Sequence, residues 1–230
     1  MNNKINILNV GIDDYTAKQA MKETVAYMGS EPINVVEMVT VDTLMYAKEE
    51  PELKESIEML DLVLPGEKEI LEAADITDRR HLQEIESQTY LKMFLRYLHK
   101  NHLRVFLLVE TEEEVQEFYD YLSASYAGIQ VTGIAKVSPE DCADDMVINA
   151  INGQEVDCVI AALSAPVQEQ FIARNRSLLN ARVWLGTGKA MKHIYKNGNR
   201  KNWLMQFLVH RIFKREIEKN RKEMQIQGID

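Results

Sequence analysis

Short, nearly continuous apolar runs alternate with amphipathic stretches along this chain. The apolar runs fall at 6–10, 33–39, 60–64, 104–109, 129–134, 158–161 and 182–185 and read as strands. Helical spacing occupies 16–28, 41–49, 51–59, 68–74, 85–101, 112–126, 139–152 and 167–179. Within the fifth of these, Leu91, Leu95 and Leu98 with Phe94 form one apolar stripe. Thr111 stands three residues ahead of Glu114, the spacing of a capping box. The interval 75–80 is the most loop-like. Nearly continuous apolar strands, separated by helices, predict an α/β fold with a mainly parallel central sheet and helices on both faces.

The end of the chain differs in charge. Residues 189–222 carry eleven Lys or Arg against Glu216 and Glu218, a net +9 that leaves −18 on the rest of a chain whose formal charge is −9. From Trp203, the positions Leu204, Leu208 and Ile212, with Met205, Val209 and Phe213, mark a broad apolar helix face followed by basic residues. The expected division is therefore an α/β unit over 1–188 and a basic, mostly helical appendage over 189–230. Such a helix suits an anionic membrane surface, and equally suits packing on the acidic body.

Composition narrows the classes. At 230 residues and 46% hydrophobic, the chain can bury a sizeable core. No run of 18 apolar residues suggests a membrane span, and Met1-Asn2-Asn3-Lys4 leads into a strand pattern without a signal-peptide signature. Cys142 and Cys158 lack metal or redox spacing, which fits a reducing cytoplasm. The five histidines form no zinc-like cluster, so no metal is expected. His99 and His102 share a helix end, a capping position. An acidic chain without a recognition motif argues against nucleic acid.

The run Ala162-Leu163-Ser164-Ala165-Pro166-Val167-Gln168-Glu169 joins a strand to a helix. Its small residues permit a tight turn, and Gln168 and Glu169 fall in the first helical turn, at the carboxyl edge where open α/β sheets bind ligands. Taken alone it is a strand-to-helix corner. It resembles the Gly-hydrophobic-Gly-small-Pro-Lys-Gln-Glu signature of the WecB/TagA/CpsF glycosyltransferases. Ile5-Asn6-Ile7-Leu8-Asn9-Val10-Gly11-Ile12-Asp13 is similar to that family's first strand, and Thr16 and Ala20 to the start of its first helix. Asp61-Leu62-Val63-Leu64-Pro65-Gly66 resembles its Asp-Leu-Val-x-Pro-Asp-Gly segment, with Val105-Phe106-Leu107-Leu108 and Gly186-Thr187-Gly188 following in family order. The resemblance implies transfer of a hexose or N-acetylhexosamine unit from a UDP-sugar to a polyprenyl-linked acceptor in surface polysaccharide assembly. It implies no cofactor beyond that donor, and a cytoplasmic protein held peripherally at the inner face of the cell membrane. It leaves homo-oligomerisation open.

Several family positions hold other residues. Gly66 stands where the family's Asp base follows Pro, and Thr40-Val41-Asp42 stands for Thr-x-Asn. Glu86-Ser87-Gln88-Thr89-Tyr90-Leu91-Lys92 stands for Glu-Arg-x-Thr-Gly-x-Asp, and Val109-Glu110-Thr111-Glu112-Glu113 for the Gly-Gly-x-x-Gly loop. Thr40, Asp42, Glu67 and Glu69 are accordingly the candidate catalytic residues, with Glu67 or Glu69 standing in for the base. By the same reading, restoring Asp at Gly66 raises activity. Gln168, Glu169, Gly186 and Gly188 are the candidate substrate-binding residues, and Arg211, Lys214 and Arg215 the membrane or acceptor contacts. The alternative is a catalytically silent paralogue acting as a subunit or regulator of such assembly, or a sugar-nucleotide or lipid-sugar binder without turnover.

Overall fold

The computed structural model describes residues 4–138, 144–195 and 203–227. The chain opens with a hairpin, β1 (Lys4–Ile7) and β2 (Val10–Asp13), and then α1 (Ala17–Tyr27). The elements that follow are β3 (Asn34–Val39), α2 (Val41–Glu49), α3 (Pro51–Glu58), β4 (Leu62–Pro65), α4 (Lys68–Ala73), α5 (Arg79–Glu86) and α6 (Thr89–Lys100). Then come β5 (Arg104–Val109), α7 (Glu112–Ser125), β6 (Gln130–Lys136), α8 (Asp144–Asn152), β7 (Cys158–Ala161), α9 (Val167–Asn175), β8 (Val183–Gly186), α10 (Lys189–Tyr195) and α11 (Trp203–Gln227). The main sheet has six strands in the order β4-β3-β8-β7-β5-β6, and every pairing within it is parallel.

Alternation along each strand divides the core. On β5 and β7, Val105, Leu107, Val109, Cys158 and Ile160 face one layer, built with α1, α6, α7 and α10. Phe106, Leu108, Val159 and Ala161 face the other, built with α8 and α9. There Phe171 stacks on Trp184 with ring centroids 5.6 Å apart. A third cluster gathers the hairpin, α2, α3, α4 and the C-terminal helix, with Leu44, Ile57, Ile70 and Phe213 all but inaccessible. Helices cover both faces of a parallel sheet, as the apolar pattern requires.

Four local expectations need correction. The first strand pattern is two strands, because Leu8 and Asn9 both take positive φ (51° and 66°) and fold the chain into a two-residue turn that pairs Ile7 with Val10. The hairpin lies outside the main sheet and is tied to it by the Val63 N–H donating to Asp13 Oδ2 at 3.0 Å. The helix expected over 85–101 is broken at Gln88, which is left-handed (φ 54°) and separates α5 from α6. The loop-like interval ends where Asp78 caps α5 by accepting from the Arg80 and His81 N–H groups. At α7 only half of the capping box forms: Thr111 Oγ1 accepts from Glu114 N–H at 3.3 Å, but the Glu114 carboxylate turns to Glu110 N–H.

The predicted helix over 139–152 is present as α8, and residues 139–143 lie outside the described residues. The tail is helical from Trp203, with 196–202 outside the described residues. His99 does not cap α6 as expected: its Nδ1 accepts from Gly128 N–H at 2.8 Å, which ties the end of α6 to the turn before β6.

A left-handed non-glycine residue costs roughly 1–2 kcal/mol, less for Asn. Asn9→Val should therefore lower the unfolding free energy by about 1–2 kcal/mol in chemical denaturation, whereas Asn9→Gly should leave it nearly unchanged.

Candidate active site

Parallel strands deliver the ends of β3, β4, β5, β7 and β8 to one edge of the sheet. Beneath that edge lies a buried polar layer. Gln168, 1% exposed in the first turn of α9, donates from Nε2 to Glu37 Oε1 and accepts at Oε1 from Gly188 N–H (3.1 Å) and Leu163 N–H (3.4 Å). Glu169, 2% exposed, accepts at Oε1 from Thr43 Oγ1 at 2.9 Å, and Thr43 in turn shares a hydrogen bond with Thr40 Oγ1 at 3.0 Å. Thr40 and Thr43 form a reciprocal capping box at the start of α2.

Glu37 lies directly beside Gly186 in the β3–β8 register, and a Cβ on Gly186 would collide with the Glu37 carboxylate. Gly188, at φ +50°, uses the left-handed region to turn its N–H onto Gln168. Burial pushes the Glu37 carboxyl well above its ordinary value, and the neighbouring Glu169 adds to the rise. Burial also raises Glu169.

Above this layer is a cavity of about 190 Å³ whose lining includes Thr40, Glu67, Glu69, Lys189, His193 and His210. Glu67 precedes α4 and aims inward, accepting at Oε2 from Val41 N–H, the first amide of α2, at 2.8 Å. Burial raises its pKa, partly offset by that hydrogen bond and by Lys189. Glu69 faces His210 Nδ1 at 3.5 Å, so the C-terminal helix supplies part of the wall. Lys189 pairs with Asp42, and burial, then Lys189, lowers the pKa of His193. Gln88 reaches in from the α5–α6 break, donating to Gly66 O at 3.2 Å.

The proposed repair at Gly66 meets an obstacle. A Cβ there would lie 2.7 Å from Val39 O and 3.2 Å from Met38 O, both backbone atoms. The chain therefore cannot carry Asp at 66 without moving the end of β3.

A profile of the glycosyl transferase WecG/TagA/CpsF family matches residues 5–208. The chain belongs to that family. Among its relatives are the N-acetylglucosaminyldiphosphoundecaprenol N-acetyl-beta-D-mannosaminyltransferases of Staphylococcus aureus strains NCTC 8325 / PS 47 and MRSA252. Each is 22% identical over 191 residues, covering 82% of this chain and 74% of the relative.

Within this member of the WecG/TagA/CpsF family, the sequence-predicted residues fall into three groups. Thr40, Glu67 and Glu69 share the cavity, with Asp42 joined to it through Lys189. Gln168, Glu169 and Gly186 belong to the buried layer below, where the Gln168 amide and one Glu169 oxygen are hydrogen-bonded within the protein, while Gly188 stands between the two. Arg211, Lys214 and Arg215 are exposed on the outer side of α11.

Sequence reasoning passed over Glu37, Lys189, His193 and His210. A lone carboxylate in the apolar run Val35-Val36-Glu37-Met38-Val39 was the available signal for the first. Glu110 also has a definite role. It accepts from Ser164 N–H (2.7 Å), from Ser164 Oγ (3.0 Å) and from Lys192, bridging the ends of β5 and β7.

Because the folded state holds Glu37 protonated above the ordinary carboxyl value of 4.5 while the unfolded chain does not, stability falls as pH rises from about 4.5 toward the folded pKa. Glu37→Gln removes that dependence. Its unfolding free energy relative to wild type should therefore grow with pH above 4.5, by up to about 1.4 kcal/mol per pH unit, in denaturation series across pH.

Proposed function

We propose that this protein transfers a hexose or N-acetylhexosamine unit from a UDP-sugar to the hydroxyl of a polyprenyl-linked acceptor, with Glu67 as general base. The observation that carries this reading is Glu67 itself: a desolvated carboxylate inside the cavity, held by Val41 N–H, one position beyond the glycine that replaces the family's Asp. Its raised pKa brings its basicity closer to neutral pH, the direction that strengthens a base. As the acceptor oxygen attacks the anomeric carbon, its proton passes to Glu67 and the bond to UDP breaks. Negative charge then grows on the departing diphosphate, and Lys189, His193 and His210 are the cationic or hydrogen-bonding groups on the same wall. The S. aureus relatives' name specifies an undecaprenol-diphosphate-linked acceptor and an N-acetylmannosaminyl group, which supports the same substrate classes here.

The silent-paralogue reading draws on Glu110, whose carboxylate occupies the Ser164 amide and Lys192 at the neighbouring strand ends. A carboxylate there repels a phosphate.

Calorimetry with UDP and UDP-sugars, and transfer assays with a polyprenyl-linked acceptor, separate the two. Glu67→Gln should lower transfer by about 10²–10⁴-fold. Transfer that survives both Glu67→Gln and Glu69→Gln would remove the replacement base, and absence of both transfer and UDP binding would establish the silent reading.

Arg211, Lys214 and Arg215 are exposed on α11 and suit an anionic membrane surface. Binding to anionic vesicles should exceed binding to neutral ones and weaken with rising salt. Replacing all three by Gln should reduce the difference in vesicle sedimentation.

A further inference from the structure

Behind the polar cavity lies a small apolar chamber of about 20 Å³, walled by Ala17 and Ala20 of α1, Met38 of β3, and Leu64 and Pro65 of β4. Ile85 and Gln88, at the α5–α6 break, line both spaces and so form the partition between them. The polar side chains around the chamber turn to other partners. Glu84 accepts from Ala17 N–H at 2.9 Å, Thr89 shares a hydrogen bond with Ser87 at 2.8 Å, and Tyr90 shares one with Thr24 at 2.8 Å. A chamber of this volume holds one water-sized group, and a water needs several polar partners that such walls do not supply. A methyl group needs none.

Gln88 stands out in two ways. Its backbone is left-handed (φ 54°), and outliers of this kind concentrate where ligands are held. Its Nε2 donates to Gly66 O, but its Oε1, shut away from solvent, has no hydrogen-bond partner among the described residues. A buried acceptor left unpaired is destabilising, and an incoming N–H relieves it. The partition thus joins an unpaired acceptor to a methyl-sized apolar space. An acetamido group carries the matching donor and methyl, and in a trans amide the two lie on the same side.

We propose that this chamber is the acyl subsite of the transferred sugar: Gln88 Oε1 accepts the N–H of a 2-acetamido group, whose methyl enters between α1 and the ends of β3 and β4. That substituent sits on the carbon next to the anomeric carbon, close to the reacting centre. Gln88 is in turn tied to Gly66, the neighbour of Glu67. The inference rests on the glycosyltransferase reading for the placement of the sugar, and narrows it. N-acetylhexosamines are taken in preference to hexoses, and acyl groups longer than acetyl are refused.

Titration of the full chain with UDP-N-acetylmannosamine against UDP-mannose, and with the corresponding gluco pair, tests the subsite. Wild type should bind the acetamido member of at least one pair about tenfold tighter, and its N-butanoyl analogue no better than the parent hexose. Gln88→Gly removes the acceptor while keeping the left-handed turn without steric cost. Ala20→Leu fills the chamber, and circular dichroism checks that both variants fold. Each should lose most of the preference. No preference in wild type, or one that both variants keep, would overturn the proposal, and equal binding of N-acetyl and N-butanoyl sugars would overturn its size limit. Saturation-transfer NMR with the free N-acetylhexosamines separates the subsite from the donor reading. A methyl contact in wild type that Gln88→Gly loses, without any UDP binding, would uphold the chamber and reject the UDP donor. No methyl contact and no UDP-sugar binding would overturn both.

Discussion

One side-chain amide holds the carboxyl edge of this sheet together. Gln168 gives its N–H to Glu37 on β3 and takes N–H groups from Leu163, just after β7, and Gly188, just after β8. A buried amide without partners would cost several kcal/mol, so three neighbouring segments are obliged to stay where they satisfy it. The arrangement depends on two glycines: Gly186 leaves room for the Glu37 carboxyl, and Gly188 supplies the left-handed turn. Glu169, the next residue, extends the constraint through Thr43 to Thr40, and so to the start of α2. The cavity walls rest on that buried layer. Gln168 and Glu169, 1% and 2% exposed, thus bear on the cavity by fixing the backbone above them.

The charge asymmetry works differently. Lys48–Glu216, His210–Glu69 and Arg221–Asp75 join α11 to α2, α4 and the residues after α4. Half-exposed pairs of this kind contribute little each, about 0–1 kcal/mol. Phe213 and Ile217 are buried against the hairpin, α2 and α4, and burying them contributes more, about 1.5–3 kcal/mol each. Apolar contact therefore seats the helix, and these polar contacts fix its register, bringing His210 to the cavity and leaving Arg211 and Arg215 outward. A packed helix and a basic outer surface are compatible on one element, because they use different sides of it.

Much of the fold was legible because its strands are apolar on both faces and its helices are not. Runs such as 104–109 and 158–161 match their strands residue for residue, since they are too short for a buried helix and rich in β-branched and aromatic residues. The missed features all depend on backbone geometry that ordinary residues adopt without advertising it. Leu8-Asn9 makes a turn usually signalled by Asn-Gly, and Gln88 interrupts a helical pattern without Gly or Pro. Site residues brought by distant segments were equally hidden. Lys189 meets Asp42, and His210 meets Glu69, through packing that no local pattern encodes. Gln168 and Glu169 were found by motif, but their burial was not, because a polar pair in a first helical turn reads as exposed until the opposing strand is known to carry Glu37.

The glycine at 66 has a consistent physical explanation. Gly66 N–H donates to Val39 O at 2.8 Å, which draws the chain after β4 against the end of β3 so closely that no Cβ fits. Tightening that crossing and keeping a side chain at 66 are mutually exclusive. The same tightening, however, carries the next residue to the start of α2, where Val41 still has a free first-turn amide to donate. A carboxylate at 67 is the group that satisfies it, and a carboxylate held by a helix N-terminus is oriented as well as stabilised. The hydrogen bond favours the charged form while burial opposes it, and burial prevails. Glu67 is thereby fixed in direction while its pKa stays raised, the combination that the proposed proton abstraction requires. The glycine and the glutamate are thus coupled through the backbone: the crossing that excludes a Cβ at 66 sets the carboxylate at 67 on the Val41 amide.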